Sequence, residues 1–247
     1  GIDNTDESLM WIKVRDHNYG HLLTSPSFGV GNHFLLSHEF GAVPTQGHSG
    51  AVQSFNDDGI NIGTYGYVNQ TNKDYVGWNF KAEPGFLDVV TYSGTGSAHD
   101  ISHSLGSEPG MILYKAIDDS REWMVYHRSL GASQGTILNE NYGAFSTSDF
   151  GSGPTSTHFS VGNAAVNNTA GKNYVAYIFA HDDQSFGTNG DESVIKCGSW
   201  TASGGAATVD LGFEPQFVLI KNVTDTGYWL MFDSMRGMTV GGNDAYL

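Results

Sequence analysis

An internal repeat constrains this chain more than any other sequence feature. Residues 105–131 align without a gap to residues 211–237, at an offset of 106 residues. Each copy begins Leu-Gly-x-Glu-Pro, continues into an apolar run that ends in Lys, and reaches a Trp eight residues later. Because a missed repeat leads to a wrong fold assignment, every further inference has to accommodate this one.

A partial third copy lies near the N-terminus. Lys13 and Gly29 are separated by 16 residues, as are the corresponding Lys and Gly of the other two copies. Four further stretches of the first copy, around 35–37 and at 60–63, 68–71 and 75–80, match residues 136–139, 159–162, 166–169 and 174–179. We therefore predict a first, partial β repeat at 1–84, a complete repeat at 85–187, and a third, truncated repeat at 188–247.

Composition and periodicity indicate strands throughout. The chain has 33 Gly and only 15% charged residues, which suits short strands joined by turns. Asn56-Asp-Asp-Gly59 is a hairpin signal between two apolar segments, and residues 75–80 alternate with period two. Residues 86–92 and 98–103 predict a further hairpin, which 194–200 and 208–211 repeat. No segment has sustained helical periodicity, so we predict an all-β fold of tandem β-sandwich or jelly-roll repeats of about 100 residues.

The repeat also resembles a known family. Phe86-Leu-Asp-Val-Val-Thr-Tyr92, Trp123-Met-Val-Tyr-His-Arg-Ser-Leu-Gly131 and Tyr174-Val-Ala-Tyr-Ile-Phe-Ala-His-Asp182 are similar to the repeat of tail-fibre and virion appendage proteins from tailed phages, especially marine and cyanobacterial ones. The resemblance extends from Trp11 to Gly237. It implies a concanavalin A-like lectin type of β-sandwich, a location on the virion surface or otherwise outside the cell, and a role in attachment. It brings no catalytic residues.

Charge and cysteine content exclude several classes of function. The net charge of −15 would repel phosphate backbones, and no basic patch offsets it, so we expect no nucleic-acid partner. No apolar run approaches 18 residues, so we expect no membrane span. The single cysteine, Cys197, permits no intrachain disulfide and is expected to be a small buried residue.

The sequence contains no catalytic or transition-metal constellation. No Gly-x-Ser-x-Gly elbow lies at a strand-to-helix turn, and the one His pair with metal-like spacing, His17 and His21, falls on a predicted turn and strand and not on a helix. We therefore predict no catalytic residues, no metal ligands and no cofactor. The acidic pairs at 57–58, 118–119 and 182–183 leave calcium binding open, although turn formation by Asp side chains also explains them.

Loop aromatics are the clearest sequence clue to binding, because sugars stack on exposed rings. Trp200, Tyr142, Phe145 and Phe150 fall in or beside Gly/Ser/Thr-rich loops, and we predict them as carbohydrate contacts. The four Trp of apolar strands are instead expected in the core; they are Trp11, Trp78, Trp123 and Trp229.

The first hypothesis for function is therefore a non-enzymatic fibre protein that binds a host-surface glycan. We expect it to contact other virion proteins and to form a homo-oligomer, with a trimer favoured. The second is a structural spacer of a virion or cell-surface filament, and the third is a polysaccharide depolymerase with a carboxylate pair.

Overall fold

The computed structural model of the chain describes residues 3–31, 33–43 and 50–236. These residues form sixteen strands, two one-turn helices and one short 3-10 helix, so the protein is all-β as predicted. The strands in chain order are β1 (Ser8–Val14), β2 (Leu22–Thr24), β3 (Leu35–Leu36), β4 (Val52–Asn56), β5 (Gly59–Ile62), β6 (Tyr75–Lys81), β7 (Leu87–Ser93), β8 (His99–Ser102), β9 (Met111–Ala116), β10 (Met124–His127), β11 (Gln134–Ile137), β12 (Phe145–Ser146), β13 (His158–Val161), β14 (Asn173–Phe179), β15 (Phe217–Ile220) and β16 (Leu230–Asp233). The helices are α1 (Gly66–Asn69), α2 (Ala165–Asn168) and the 3-10 helix Pro26–Phe28.

Two antiparallel sheets share one strand order. The first has the order β3-β2-β1-β6, and the second contains β11-β10-β9-β14 with β12 and β7 added at its two edges. The predicted repeat offset of 102 residues relates Lys13 in β1 to Lys115 in β9. Corresponding stretches of the sequence therefore occupy corresponding positions in the two sheets.

The central strands β1 and β14 are buried on both faces. Successive side chains of a strand point to opposite faces, and these two strands are apolar at nearly every position. In β1, Met10 and Ile12 pack with the β4–β5 hairpin, whereas Leu9 and Trp11 face the opposite way. In the second sheet, one face packs against the small β8–β13 sheet through Phe159 and its neighbours. Each main sheet thus has a smaller sheet on one face and a large common core on the other.

The common core joins all three predicted repeats. It contains Trp11 of the first repeat, Trp123 of the middle repeat and Met231 of the third, together with strand residues around each. Phe217 in β15 contacts the rings of Trp11 and Trp78, with ring centroids 6.4 and 5.9 Å apart. The β15–β16 pair therefore packs against the first sheet as well as the second. Of the four strand Trp, three are buried as expected and Trp229 is half-buried.

The same hydrogen bonds occur at two junctions between repeats. The indole N–H of Trp123 donates to the carbonyl of Leu36 at 2.9 Å, and that of Trp229 donates to the carbonyl of Ile137 at 2.9 Å. Both indoles therefore reach from one repeat to the same strand position of the preceding repeat.

Two further kinds of hydrogen bond also occur at both junctions. Lys115 Nζ donates to the carbonyl of Phe40 at 3.2 Å, and Lys221 Nζ donates to that of Asn141 at 3.4 Å. The N–H groups of Val43 and Ala144 likewise donate to backbone oxygens of the next repeat, at 2.8 and 2.7 Å. The middle repeat thus contacts the first through the same bonds with which the third contacts the middle.

The structure corrects the predicted alignment by one residue in two places. Leu22 pairs with Leu36 and Met124 pairs with Ile137, so this stretch is offset by 101 residues and not by 102. Asn69 and Asn168 make the same bond, from Nδ2 to a glycine carbonyl six residues earlier, which sets the offset there at 99 and not 98. Loops of different length between the strands account for these changes in the repeat offset.

The predicted hairpin at 194–211 is wrong for the described chain. Residues 194–211 contain no strand, and all of 198–210 is exposed. The hairpin predicted from 86–92 and 98–103 is also wrong, although both stretches form strands. β7 pairs with β14 in the large sheet and β8 pairs with β13 in the small sheet, so the two strands do not pair with each other. No described strand of the third repeat corresponds to β14 or β13, so residues 194–211 have no sheet to join.

Candidate functional site

Five stacked rings form a continuous aromatic cluster on the first repeat. His17 lies against Tyr19 with ring centroids 4.0 Å apart, and Tyr19 stacks on Tyr67 at 4.6 Å. Tyr67 stacks on Tyr65 at 5.1 Å, and Tyr65 stacks on Phe34 at 5.2 Å. We call these five residues the aromatic stack.

Three separate segments bring the aromatic stack together. His17 and Tyr19 lie in the turn after β1, Phe34 directly precedes β3, and Tyr65 and Tyr67 flank Gly66 at the start of α1. Phe34 is buried and anchors one end in the core between β1 and the β4–β5 hairpin. The other four rings are half-exposed. The stack thus runs from the core outward to solvent.

Phenolic hydroxyls of the stack can donate hydrogen bonds, and the pKa values of Tyr65 and Tyr67 are raised. Burial is the main cause that raises the pKa of Tyr65 and of Tyr67, and the carboxylate of Glu39 adds to the effect at both. Among the described residues, the hydroxyl groups of Tyr19 and Tyr67 make no hydrogen bond. Two phenolic hydroxyls and a nearby carboxylate are therefore available to a ligand rich in hydroxyl groups.

The middle repeat has no aromatic residue at any corresponding position. With the structural offsets of 102, 101 and 99 residues, the five rings correspond to Asp119, Arg121, Gly135, Ala164 and Val166. The strand order is the same in both sheets without the four half-exposed rings. At Gly135, the counterpart of buried Phe34, the ring of Phe150 lies against the backbone instead. The aromatic stack is therefore a property of the first repeat and not a requirement of the scaffold.

The four residues predicted from sequence do not form one site. Trp200 is 50% exposed on the irregular segment after Cys197, and Tyr142 is 55% exposed beside the junction with the third repeat. Phe145 is half-buried and packs against the core around β10. Phe150 is 1% exposed, packed with the rings of two core tyrosines, so it offers no face to a sugar. Among the described residues, no ring contact links any two of the four.

A polar depression lies beside two of these residues. It has a volume of about 730 Å³ and is formed between β11 and the stretch that follows Phe145. Its lining consists of Ser133, Gln134, Ser146, Thr147, Ser148 and Asp149. The lining offers hydroxyl, amide and carboxylate groups but no aromatic ring, so it lacks the stacking surface that the sequence led us to expect.

Cys197 is buried, as predicted. It is 8% exposed, and its thiol lies 3.4 Å from the carbonyl of Ala180. Burial raises the pKa of the thiol to about 12, so it is not a thiolate at neutral pH. Cys197 therefore has the properties of a small core residue.

One of the acidic pairs has a clear structural task. Asp118 accepts bonds from the backbone N–H of Asn173 at 2.9 Å and from its side chain at 3.0 Å. Asp16 accepts the equivalent backbone bond from Asp74 at 3.3 Å.

Within the described ranges, no three His, Cys, Asp or Glu side chains converge as a metal site would require. Nor does any helix of those ranges have the length and hydrophobicity needed to cross a bilayer.

Comparison with known proteins identifies a family for almost the whole chain. A family model described as "Domain of unknown function (DUF7483)" matches residues 3–246. No curated protein matches the chain, and no solved structure matches it. The match covers all three predicted repeats, and the chain therefore belongs to the family described as a domain of unknown function (DUF7483).

Proposed function

We propose that this chain is a non-enzymatic attachment protein that binds a host-surface glycan through the aromatic stack. In this proposal it is part of a tailed-phage fibre or virion appendage, built from tandem concanavalin-like β-sandwich repeats with the boundaries 1–84, 85–187 and 188–247. The equal strand order of the two main sheets supports the tandem arrangement. The resemblance of the repeats to phage fibre proteins supports the location.

The observation that carries the proposal is that the stack is present in the first repeat and absent from the corresponding described positions of the middle repeat. A ring set needed for folding would be expected in both sheets, because the two sheets have the same strand order and the same junction bonds. Four half-exposed rings also leave apolar surface in contact with water. A ligand that covers this apolar surface removes the free-energy cost of its contact with water.

The chemistry of the stack suits a neutral or weakly basic sugar. Ring surfaces of tyrosine accept apolar C–H faces, while the hydroxyls at their edges bond to polar groups. The carboxylate of Glu39 can accept hydrogen bonds from sugar hydroxyls. The net charge of −15 would disfavour strongly acidic polysaccharides.

The proposal is tested by glycan binding of matched variants. The purified chain is applied to arrays of host-envelope and general glycans. The glycans that bind on the arrays are then titrated by calorimetry. Tyr19→Ala and Tyr67→Ala remove the two rings with free hydroxyls. Arg121→Ala and Val166→Ala change the corresponding positions of the middle repeat and are the matched controls.

We expect each stack variant to weaken binding at least tenfold, and each control to retain it. Circular dichroism confirms that each variant is folded. Trp200→Ala and Tyr142→Ala test the residues predicted from sequence in the same assay, and EDTA tests calcium. Undiminished binding by both stack variants would refute the assignment of the site to the aromatic stack.

A structural spacer is the second candidate function. The observation that favours it is the pair of identical junctions, in which Trp123 and Trp229 each donate to the preceding repeat. Junctions of one geometry are what an extended filament of repeats requires. A folded chain that binds no glycan on any array, but is found in purified virions by mass spectrometry, would favour the spacer.

The remaining parts of the proposal have their own tests. A depolymerase would release reducing sugars from host envelope, and we expect no release. Association with other virion proteins is tested by cross-linking in intact particles. A homotrimer is tested by the mass of the purified chain in light scattering.

A further inference from the structure

Basic side chains meet at one end of the main sheet of the middle repeat. His127 ends β10, Arg128 follows it, and His181 lies two residues after the end of β14. Gly110, which precedes β9, joins them, because the N–H of Arg128 donates to the carbonyl of Gly110 at 2.9 Å. The N–H of Gly110 donates in turn to the carbonyl of Phe179 at 2.8 Å. We call His127, Arg128 and His181 the basic cluster.

The glycine at 110 lets His181 lie close to the neighbouring strand. A Cβ at Gly110 would lie 2.8 Å from the Cβ of His181 and 2.8 Å from the Sγ of Cys197. The Nδ1 of His181 accepts a hydrogen bond from the backbone N–H of Cys197 at 3.1 Å, which fixes the imidazole. His181 is therefore held against the end of the sheet.

The basic cluster has unused hydrogen-bond donors. The Nδ1 of His127 accepts from the backbone N–H of Ser129 at 3.2 Å, and that of His181 is occupied as well. A neutral imidazole that accepts at Nδ1 carries its proton at Nε2. Among the described residues, neither Nε2–H nor the guanidinium of Arg128 has a hydrogen-bond partner. Glu108, in the loop before β9, forms no ion pair with that guanidinium within the same ranges.

The charges of the basic cluster act on one another. Burial is the first cause that lowers the pKa of His127 and of His181, and the positive charge of Arg128 is the second at both. At His181 the carboxylate of Asp182 opposes this effect less strongly than Arg128 exerts it. That carboxylate also pairs with the ammonium of Lys196 at 3.6 Å. The cluster is therefore a locally positive site in a chain of net charge −15.

The other repeats have no basic residue at these positions. His127 and Arg128 correspond to Ser25 and Pro26 in the first repeat and to Asp233 and Ser234 in the third, and His181 corresponds to Ala82 in the first. Ser25 and Asp233 each accept a backbone N–H of the same turn, at 3.3 and 2.9 Å, as His127 does. The turn is thus made without an imidazole, and the scaffold does not require the basic cluster.

We propose that the basic cluster binds a phosphate group, with the guanidinium of Arg128 and the Nε2–H groups of His127 and His181 as donors to its oxygens. Arginine forms strong charge-assisted bonds with phosphate, and a bound anion favours the protonated form of nearby imidazoles. One phosphate at one site does not require the extended basic surface that a nucleic acid needs. The site lies on the middle repeat and the aromatic stack on the first, so either proposal can fail alone.

Binding is tested on the full chain by NMR titration of the imidazole signals. Inorganic phosphate represents free phosphate, and dimethyl phosphate represents a diester within a polymer. Sodium acetate tests a carboxylate, and sodium chloride at the same ionic strength controls for screening. We expect one or both phosphate probes to shift the signals of His127 and His181 and to raise the pKa of both. The imidazoles outside the cluster are internal controls and should not respond.

Substitutions taken from the other repeats test the donors. Arg128→Ser introduces the residue of the third repeat, and His127→Ser introduces that of the first, which keeps the bond to the turn. Followed at His181, each should weaken phosphate binding by about tenfold or more. Arg15→Ser changes the net charge equally at an exposed arginine of the first repeat and is the matched control.

Thermal unfolding confirms that each variant is folded. Several results would overturn the proposal. They are the absence of a response to both phosphate probes, shifts that sodium chloride reproduces, and acetate binding as tight as phosphate binding. Undiminished binding by Arg128→Ser, or equal weakening by Arg15→Ser, would do the same.

Discussion

Replacement of Lys115 by Met should change how the stability of the protein depends on pH. The side chain is fully buried, and its ammonium donates to the carbonyls of Ala116 at 3.0 Å and Phe40 at 3.2 Å. Burial lowers the pKa of Lys115 to about 8, while the carboxylates of Glu122 and Asp119 oppose the change. The folded protein therefore releases this proton more readily than the unfolded chain does.

The sign and size of the effect follow from linkage. Between pH 8 and 10.5 the unfolded chain holds the proton of Lys115 and the folded protein does not, so the free energy of unfolding rises with pH. The two pKa values differ by about 2.5, and a tenfold change in proton affinity is worth about 1.4 kcal/mol. Lys115 should therefore make the protein less stable by about 3 kcal/mol below pH 8 than above pH 10.5.

The assay is urea unfolding of both proteins at intervals from pH 7 to pH 10.5. The other ionisable groups are the same in both proteins, so the difference between the two curves isolates Lys115. We expect that difference to change by about 3 kcal/mol across the range. Lys221→Met is the matched control, because Lys221 is half-exposed and should give a smaller change. Parallel curves for the wild type and Lys115→Met would refute the assignment.

Four other substitutions, one of them a control, test the structure. Trp123→Phe removes the indole donor from the carbonyl of half-buried Leu36, and thermal or urea unfolding should show a loss of about 1–3 kcal/mol if the junction is correct. Gly162→Ala would place a Cβ 2.1 Å from the carbonyl oxygen of Ser148, so backbone must move and about 1–3 kcal/mol should be lost in the same assay. Gly198→Ala, which meets nothing within 4 Å, should stay within about 0.5 kcal/mol of wild type, and equal effects would contradict the geometry. Burial, and then nearby positive charges, lower the pKa of His21 from 6.5 to about 3. The free energy of unfolding should therefore fall by roughly 5 kcal/mol as the pH drops from 6.5 to about 3. His21→Gln should remove this loss, and acid titration followed by fluorescence measures it.

The sequence repeat predicts much of the fold because marker residues keep their structural tasks. The ammonium groups of Lys13, Lys115 and Lys221 each donate to the carbonyl of the next residue, so the C-terminal ends of three strands share one hydrogen bond. Repeated letters are less reliable in short polar turns. The Asn-x-Thr pattern at 69–71 and 167–169 aligns Asn69 with Asn167. The hydrogen bonds instead show that Asn168 is the structural counterpart of Asn69, because each donates to a glycine carbonyl six residues earlier. Register in such turns is set by bonds that the sequence does not display.

The hairpin at 194–211 shows why a local pattern can fail. Its alternation and its glycine-rich turn are those of two strands, but a two-stranded hairpin alone is marginal in water. The middle repeat supplies seven residue pairs between β14 and β7, and four between β13 and β8. Without those neighbours the same pattern stays irregular. Strand formation here is decided by tertiary pairing and not by local preference.

The aromatic stack could not be found by searching loops for aromatic residues. Its members are spread from His17 to Tyr67 and meet only because the turn after β1, the lead into β3 and helix α1 come together. Phe150 shows the opposite error, since its polar loop surroundings in sequence did not reveal that the ring points into the core. One signal was present in the sequence. The first repeat has aromatic residues where the middle repeat has none.

That signal separates scaffold from function within one chain. Positions with the same residue and the same bond in several repeats, such as Trp123 and Trp229, are explained by folding and give no information about a ligand. Positions at which the residue type differs between repeats, while the backbone conformation is the same, are not required for folding in that way. By this criterion Tyr19 and Tyr67 are candidates for ligand contact, and their counterparts Arg121 and Val166 are internal controls at equivalent places. A binding defect that follows the first pair and not the second would show that the repeats share one scaffold but not one function.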